Sequence, residues 1–248
     1  MPTLINTSGI VTRYINYNDN DRIITILTPE MGRIDAKVRG CRKPTSPLLS
    51  ATQPFAFAEF ELFQSGDKCT VNRCTVTESF FEITQDIDRY TYGMSVLRLA
   101  QEATMEREAN ASLFFLVYHT LSFLAYGDNE PIDLYLLFLI RYLSCTGYCP
   151  IITSCAICTR DIRGDRSLFY SAKAGGTVCT ACARGGLPSI SKISLEAMRR
   201  MLLLDLKDIG KVKLNTDMRR EIKSYLFGLA EEHFDYAIRC LAYADANE

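Results

Sequence analysis

The chain has 248 residues, 48% of them apolar, which is enough to bury a sizeable core and suits two domains better than one. Its 28 Lys and Arg against 29 Asp and Glu leave a net charge of −1, a whole-chain figure that argues against nucleic acid, since domains that bind it are usually basic. Ten cysteines are too few for a disulfide scaffold, and the most apolar runs, residues 113–126 and 132–143, fall short of the roughly 20 residues a bilayer span demands.

Residues 1–80 read as β structure. Residues 10–15 and 22–28 are runs of β-branched and aromatic side chains. Pro29 and Gly32 suit a turn after them. The chain then alternates: Ile34, Ala36 and Val38 face one way, and Arg33, Asp35, Lys37 and Arg39 the other. Residues 56–63 and 69–77 make two more strands. Five short strands in this length suit a small closed barrel, which leaves no exposed edge. From Asp86 the period becomes helical, with Tyr90, Met94, Leu97 and Ala100 on one face. Residues 112–126 form a second helix, ended by Gly127. Pro131 opens a third, apolar on most faces and ended near Gly147, which belongs at the centre of a bundle. Residues 150–186 break the helical pattern. Helices resume near Ser194, read as the cap before Leu195. The last helix, residues 216–243, carries Ile222, Leu226, Leu229, His233, Ala237 and Leu241 on one stripe.

Counting by segment withdraws the objection drawn from net charge. Residues 33–43 hold five bases against one acid, residues 150–186 five against two, and residues 192–223 nine against five. The acids gather in residues 86–133, eight against three bases, and in residues 224–248, five against one. Arg33, Lys37 and Arg39 would form one cationic stripe on a strand, with Arg42 and Lys43 following and Arg13 and Arg22 near in sequence. Tyr14 and Tyr17 would add stacking platforms. Small barrels bind single strands through such grooves. An ordinary solvated strand face has the same charge pattern.

The strongest chemical signal is Cys155 and Cys158, then twenty residues, then Cys179 and Cys182. Each pair puts two sulfurs on one turn, and two such turns close a tetrahedral S4 site that suits zinc. Gly175 and Gly176 supply the tight turn before the second pair, and Leu168, Phe169 and Tyr170 suit a strand of a zinc ribbon. Four buried thiols without metal, or an iron–sulfur cluster, would use the same residues. With four protein ligands the ion is structural, one per chain. Cys145 is read as packing in the third helix, with Cys149 just beyond. Cys41, Cys69, Cys74 and Cys240 show no partner spacing. His119 and His233 sit among apolar neighbours and are read as packing residues. No catalytic constellation and no nucleotide-binding loop is present, so no catalytic residue is assigned. Residues 1–9 have neither a basic start nor an apolar core, and a reducing cytoplasm is expected.

Several segments resemble the bacterial RecO family of recombination mediators. They are TSGIVTR (residues 7–13), DRIITILTPEMGRI (21–34), the basic KVRGCRKP (37–44), QPF (53–55) and EFEL (59–62). Arg141, Tyr142 and Leu143, with Gly147, Tyr148 and Pro150, continue the likeness directly into the cysteine pairs. One departure is Thr159, which follows Cys158 where the family usually has glycine. The resemblance implies an α+β multidomain chain: an OB-fold DNA-binding barrel in residues 1–80, a helical domain in 81–150 and 187–248, and an inserted zinc finger in 151–186. It implies a DNA repair and recombination protein of the RecF pathway, not an enzyme. Such a protein binds single- and double-stranded DNA, anneals complementary strands, and works with RecR and RecF. It also binds the acidic C-terminal tail of single-strand binding protein, helping to load RecA. Arg13, Arg22, Arg33, Lys37, Arg39, Arg42 and Lys43 would meet DNA phosphates. Arg199, Arg200, Lys211 and Lys213 would meet the acidic peptide. Neither membrane nor nucleotide is implied. The rival readings are a zinc-containing protein–protein assembly module and, more remotely, a thiol redox enzyme.

Overall fold

The computed structural model describes residues 3–106 and 108–234. It divides into two compact units, Met1–Tyr126 and Gly127–Glu248.

In the first unit five strands close into a barrel. They are β1 (Thr3–Tyr17), β2 (Asp21–Thr28), β3 (Gly32–Val38), β4 (Phe57–Ser65) and β5 (Lys68–Glu78), in the order β1-β2-β3-β5-β4. That order fits the expected OB-fold. β1 is long because it serves two neighbours: residues 3–10 pair with β4 and residues 10–17 with β2. The register shifts between Val11 and Arg13. This bulge buries Thr12 and turns Arg13 outward. Closure rests on a short parallel contact of Ala36 and Lys37 with Cys69 and Thr70. Ile34, Ala36 and Val38 enter the barrel core with Ile24, Ile26 and Leu62, while Asp35 is exposed and Arg33 and Lys37 half-buried on the other face.

Helices α1 (Ile87–Ala103) and α2 (Ala111–Tyr126) belong to the same unit. Asp86 and Asn110 cap them by accepting the amides of Arg89 and Leu113. An aromatic seam joins them to the barrel. Phe55 meets Tyr90 at 6.0 Å, and Phe57 and Phe80 meet Tyr118 at 5.1 and 5.8 Å. Gly93 allows the approach, because a Cβ there would lie 3.0 Å from the Phe55 ring. The seam explains why α1 and α2 fall in the same compact unit as the barrel.

In the second unit α3 (Pro131–Cys145) is the centre, with residues 133–140 all buried. Pro131 opens it, and Gly147, at φ 88°, follows its end. Around it lie α4 (Lys192–Leu203), α5 (Thr216–Glu231) and a small sheet of β6 (Leu168–Ser171), β7 (Gly176–Cys179) and β8 (Ser189–Ile190). The apolar run of α3 contains two charges, and the fold uses both. Arg141 donates to the carbonyls of Met201 and Leu204, satisfying the end of α4. Asp133 is 2% exposed and accepts from Arg219 Nε at 2.8 Å, from Arg219 Nη2 at 3.1 Å and from the Leu214 amide at 3.1 Å. Removing one member of such a buried pair strands the other. Asp133→Ala is therefore expected to cost about 3 kcal/mol, read as a lowered urea midpoint.

Two expectations change. α4 starts one turn earlier than expected, with Ser191 as its cap and Ser194 inside its first turn. The second acceptor comes from α5: Glu221 takes the Ser194 hydroxyl at 2.7 Å and the Ser191 amide at 2.9 Å, which no local pattern announces. Of the last helix, residues 216–231 are helical, with Ile222, Leu226 and Leu229 buried. Ala237, Cys240 and Leu241 lie outside the described residues. His233 is exposed and stacks on Tyr148 at 4.0 Å, while His119 is half-buried. No described helix is long and apolar enough to cross a membrane.

Candidate metal centre and nucleic-acid interface

The four cysteines of the paired motif converge. Their sulfurs lie within 4.8 Å of one another, with Cys155 and Cys179 buried, Cys182 half-buried and Cys158 exposed. The backbone builds the two turns from both sides. The Cys155 amide donates to the Arg160 carbonyl at 2.8 Å, and the Cys182 amide to the Cys179 carbonyl at 3.0 Å. The Ala156 amide reaches the Thr177 carbonyl at 2.8 Å, tying the first turn to β7. Gly176 is required by proximity, since a Cβ would fall 2.6 Å from Ile151 Cβ. Below, Tyr225 of α5 is fully buried, its hydroxyl 3.3 Å from Thr177 Oγ1 and its ring 4.7 Å from that of Tyr170. Cys145 and Cys149 are exposed and are not part of the cluster, so Cys145 does not pack in the helix as expected.

The protonation of the cluster shows its chemistry. Burial pushes the Cys155 thiol up, but the amides of Cys179, Cys158 and Ile157 directed at its sulfur bring it down to about 6. Cys182 is pushed up to about 12, first by the sulfurs of Cys158 and Cys179 and then by burial. Four thiolates this close repel, so without a cation they do not all ionise. A divalent ion removes that conflict, and the set of four sulfurs matches what a thiophilic metal requires. Arg160 stands beside Cys179 and forms a bidentate pair with Asp165 at 2.6 and 2.8 Å. It is a cation positioned to offset excess thiolate charge.

On the barrel, the outer face of β1–β3 carries the predicted cations unevenly. Arg13 is exposed and donates from Nε to Thr25 Oγ1 at 3.1 Å; that hydroxyl donates to Asp35 at 2.5 Å. Arg33 pairs with Glu106 at 3.5 Å. Lys37 pairs with Asp21 at 3.0 Å and lies 4.6 Å from the centre of the Tyr17 ring. Asp21 also accepts the Gly40 amide, which with Lys37 holds its carboxyl below the usual range. Arg39, Arg42 and Lys43 are exposed, and Arg42 donates to the Asn18 carbonyl at 3.2 Å. Arg22 differs. It is 8% exposed, lies over the Tyr14 ring at 3.7 Å and donates to Thr52 Oγ1 at 2.8 Å, so it is spent inside the barrel. Tyr14 is thereby covered, whereas Tyr17 remains 43% exposed. The parity of β2 could have revealed this, because residues 22, 24 and 26 share the inward face. Across β4 the surface is acidic, with Glu59 and Glu61 beside a groove that only Arg73 offsets.

In the second unit a groove of about 610 Å³ is lined by Arg200, Lys211 and Lys213 over apolar Ile193, Met201 and Met218. Sequence reasoning found the cations but missed this floor, whose one signal is Ile193, 67% exposed on α4. Arg199 does not line the groove. It donates to the Ile152 carbonyl at 2.7 Å and holds the segment leading into the first cysteine pair.

Two family models match the chain: recombination protein O N terminal over residues 1–80, and recombination protein O C terminal over residues 84–239. The chain belongs to the RecO family. The DNA repair protein RecO of Pelotomaculum thermopropionicum is 33% identical over 244 residues, 98% of this chain and 94% of that protein. That of Acetivibrio thermocellus is 31% identical over 220 residues, 88% and 87% of the two chains. Thr159 sits at φ 60°, in the left-handed region, where a β-branched residue is strained and glycine is not. Thr159→Gly should therefore raise stability by about 1 kcal/mol, read as a higher urea midpoint for the metal-loaded protein.

Proposed function

We propose that this chain is a DNA repair protein that mediates recombination without catalysing a reaction. It binds single- and double-stranded DNA on the outer face of β1–β3 and anneals complementary strands. With RecR and RecF it helps load RecA onto strands coated by single-strand binding protein in the cytoplasm. The observation that supports this reading is the sidedness of the barrel: Arg13, Arg33, Lys37 and Arg39 on one outer surface, Glu59 and Glu61 on another. A phosphate would take the place of Asp21 at Lys37 and of Glu106 at Arg33, one anion exchanged for another. The gain comes from counterions released by the polymer. Tyr17, beside Lys37, offers a face for a base. Fixed cations let two polyanions approach while leaving base edges unread, which is what annealing needs.

Zinc is the metal proposed for Cys155, Cys158, Cys179 and Cys182, where it would fix the fold of the insertion. The groove of Arg200, Lys211 and Lys213 suits an acidic peptide with an apolar end, and we assign it to the tail of single-strand binding protein. The test is titration of single-stranded DNA across salt. A steep loss of affinity with salt is expected. Absent or salt-independent binding, by the chain alone and with RecR, would overturn the DNA reading and favour an assembly module that uses the groove.

A further inference from the structure

A second feature of the first unit lies where the barrel meets α1. A pocket of about 330 Å³ is lined by Arg13 of β1, Arg33 of β3 and Arg98 of α1, together with Gln101 and Glu102. Arg13 and Arg33 are grouped by their place on the barrel strands, but no local pattern adds Arg98, which lies 65 positions beyond Arg33 in an acid-rich segment. Two carboxylates balance two of the arginines: Glu102 accepts from Arg98 at 2.9 Å, and Glu106 pairs with Arg33 at 3.5 Å. Arg13 is held by the neutral Thr25 hydroxyl, and Asp35, bonded to the same hydroxyl, does not line the pocket. Among the lining residues, three arginines stand against one carboxylate, Glu102. Arg33 Nε is buried and has no hydrogen-bond partner among the described residues, an N–H that an anion could satisfy.

We propose that this pocket takes one phosphate of the DNA backbone, with Arg98 as a further DNA-contact residue. The inference rests on the DNA reading above and extends it, because Arg13 and Arg33 belong both to the outer face of the barrel and to the pocket. A strand that crosses β1–β3 would continue onto α1. Arginine forks match phosphate oxygens in two places at once, which lysine does not. Gln101 adds an uncharged donor. Glu102 holds Arg98 until phosphate displaces it, so it opposes binding.

The experiment measures single-stranded DNA affinity across salt for wild type, Arg98→Gln, Arg98→Lys and Glu102→Gln, with thermal melts as the folding control. Arg98→Gln is expected to weaken binding on the order of tenfold and to reduce the salt slope by about 0.7, the share of one phosphate contact. Arg98→Lys should restore the slope, and Glu102→Gln should tighten binding. That opposite sign separates a phosphate contact from a merely structural arginine. If Arg98→Gln keeps the wild-type affinity and slope while charge reversal on β3 lowers both, the pocket is overturned and the DNA reading stands. If wild type shows no salt-dependent binding, both fall.

Discussion

Stripping metal from the protein with a chelator, or replacing Cys179 by serine, is expected to unfold the insertion and leave the barrel unit folded. The reason is the size of what would hold the insertion. β6, β7 and β8 have four, four and two residues, too few to sustain a sheet on their own. A structural zinc site contributes on the order of 10 kcal/mol, more than any other single interaction available there. Cys179 is the sharper choice because it is buried and is also the last residue of β7. The readouts are one metal per chain by elemental analysis, four thiols that become titratable after chelation, and rapid proteolysis confined to residues 150–190. Acid should act in the same direction. The ion needs thiolates, so protons compete with it. Cys155, held at about 6, is a thiolate at neutral pH and protonates as the pH falls through that value. A bound cation holds its ligand thiols lower still, so metal should be retained at neutral pH and released only in acid, below the metal-free value. Full thiol reactivity in the untreated protein would sink the metal assignment.

Reversing Lys37 and Arg39 together to glutamate should weaken single-stranded DNA binding on the order of a hundredfold at low salt. It should also flatten the salt dependence by about 1.4, the share of two phosphate contacts. The effect should be the same for every DNA sequence, because phosphates carry no base identity. Strand annealing in the presence of single-strand binding protein should fall with it. Folding should not change, since Lys37 is only partly covered, Arg39 is exposed, and the pair that Lys37 makes with Asp21 is of the weak surface kind. Unchanged affinity in a folded double variant would remove the β1–β3 face from the DNA path.

β3 was legible because one face of it is buried, and burial imposes a period of two that the eye can read: Ile34, Ala36, Val38 against Arg33, Asp35, Lys37. Arg22 departs from the expectation set by its charge because strand parity turns it inward. Its neighbours two and four places on, Ile24 and Ile26, already set its direction. Arg13 points outward only because a bulge resets the alternation of β1, and a bulge forms where a strand changes partner. The cysteine pairs were legible because each pair is a local turn. The exposure of Cys145 was not, since it depends on what packs against the last turn of α3. Arg199 shares with Arg200 the expectation of meeting an acidic peptide, but adjacent helix positions point about 100° apart, and only Arg200 lines the groove.

The sequence by itself determined what local periodicity and local chemistry can carry: five strands, the central helix α3, two two-residue-spaced cysteine pairs and a family. The tertiary structure alone decided which charges are available. It turned Arg22 inward, spent Asp133 and Arg141 on partners about 60 to 86 positions away, and set Arg13, Arg33 and Arg98 around one pocket. The physical reason is that a charge is used by whatever lies within a few ångströms of it, and in a barrel packed with helices those neighbours are distant in the chain.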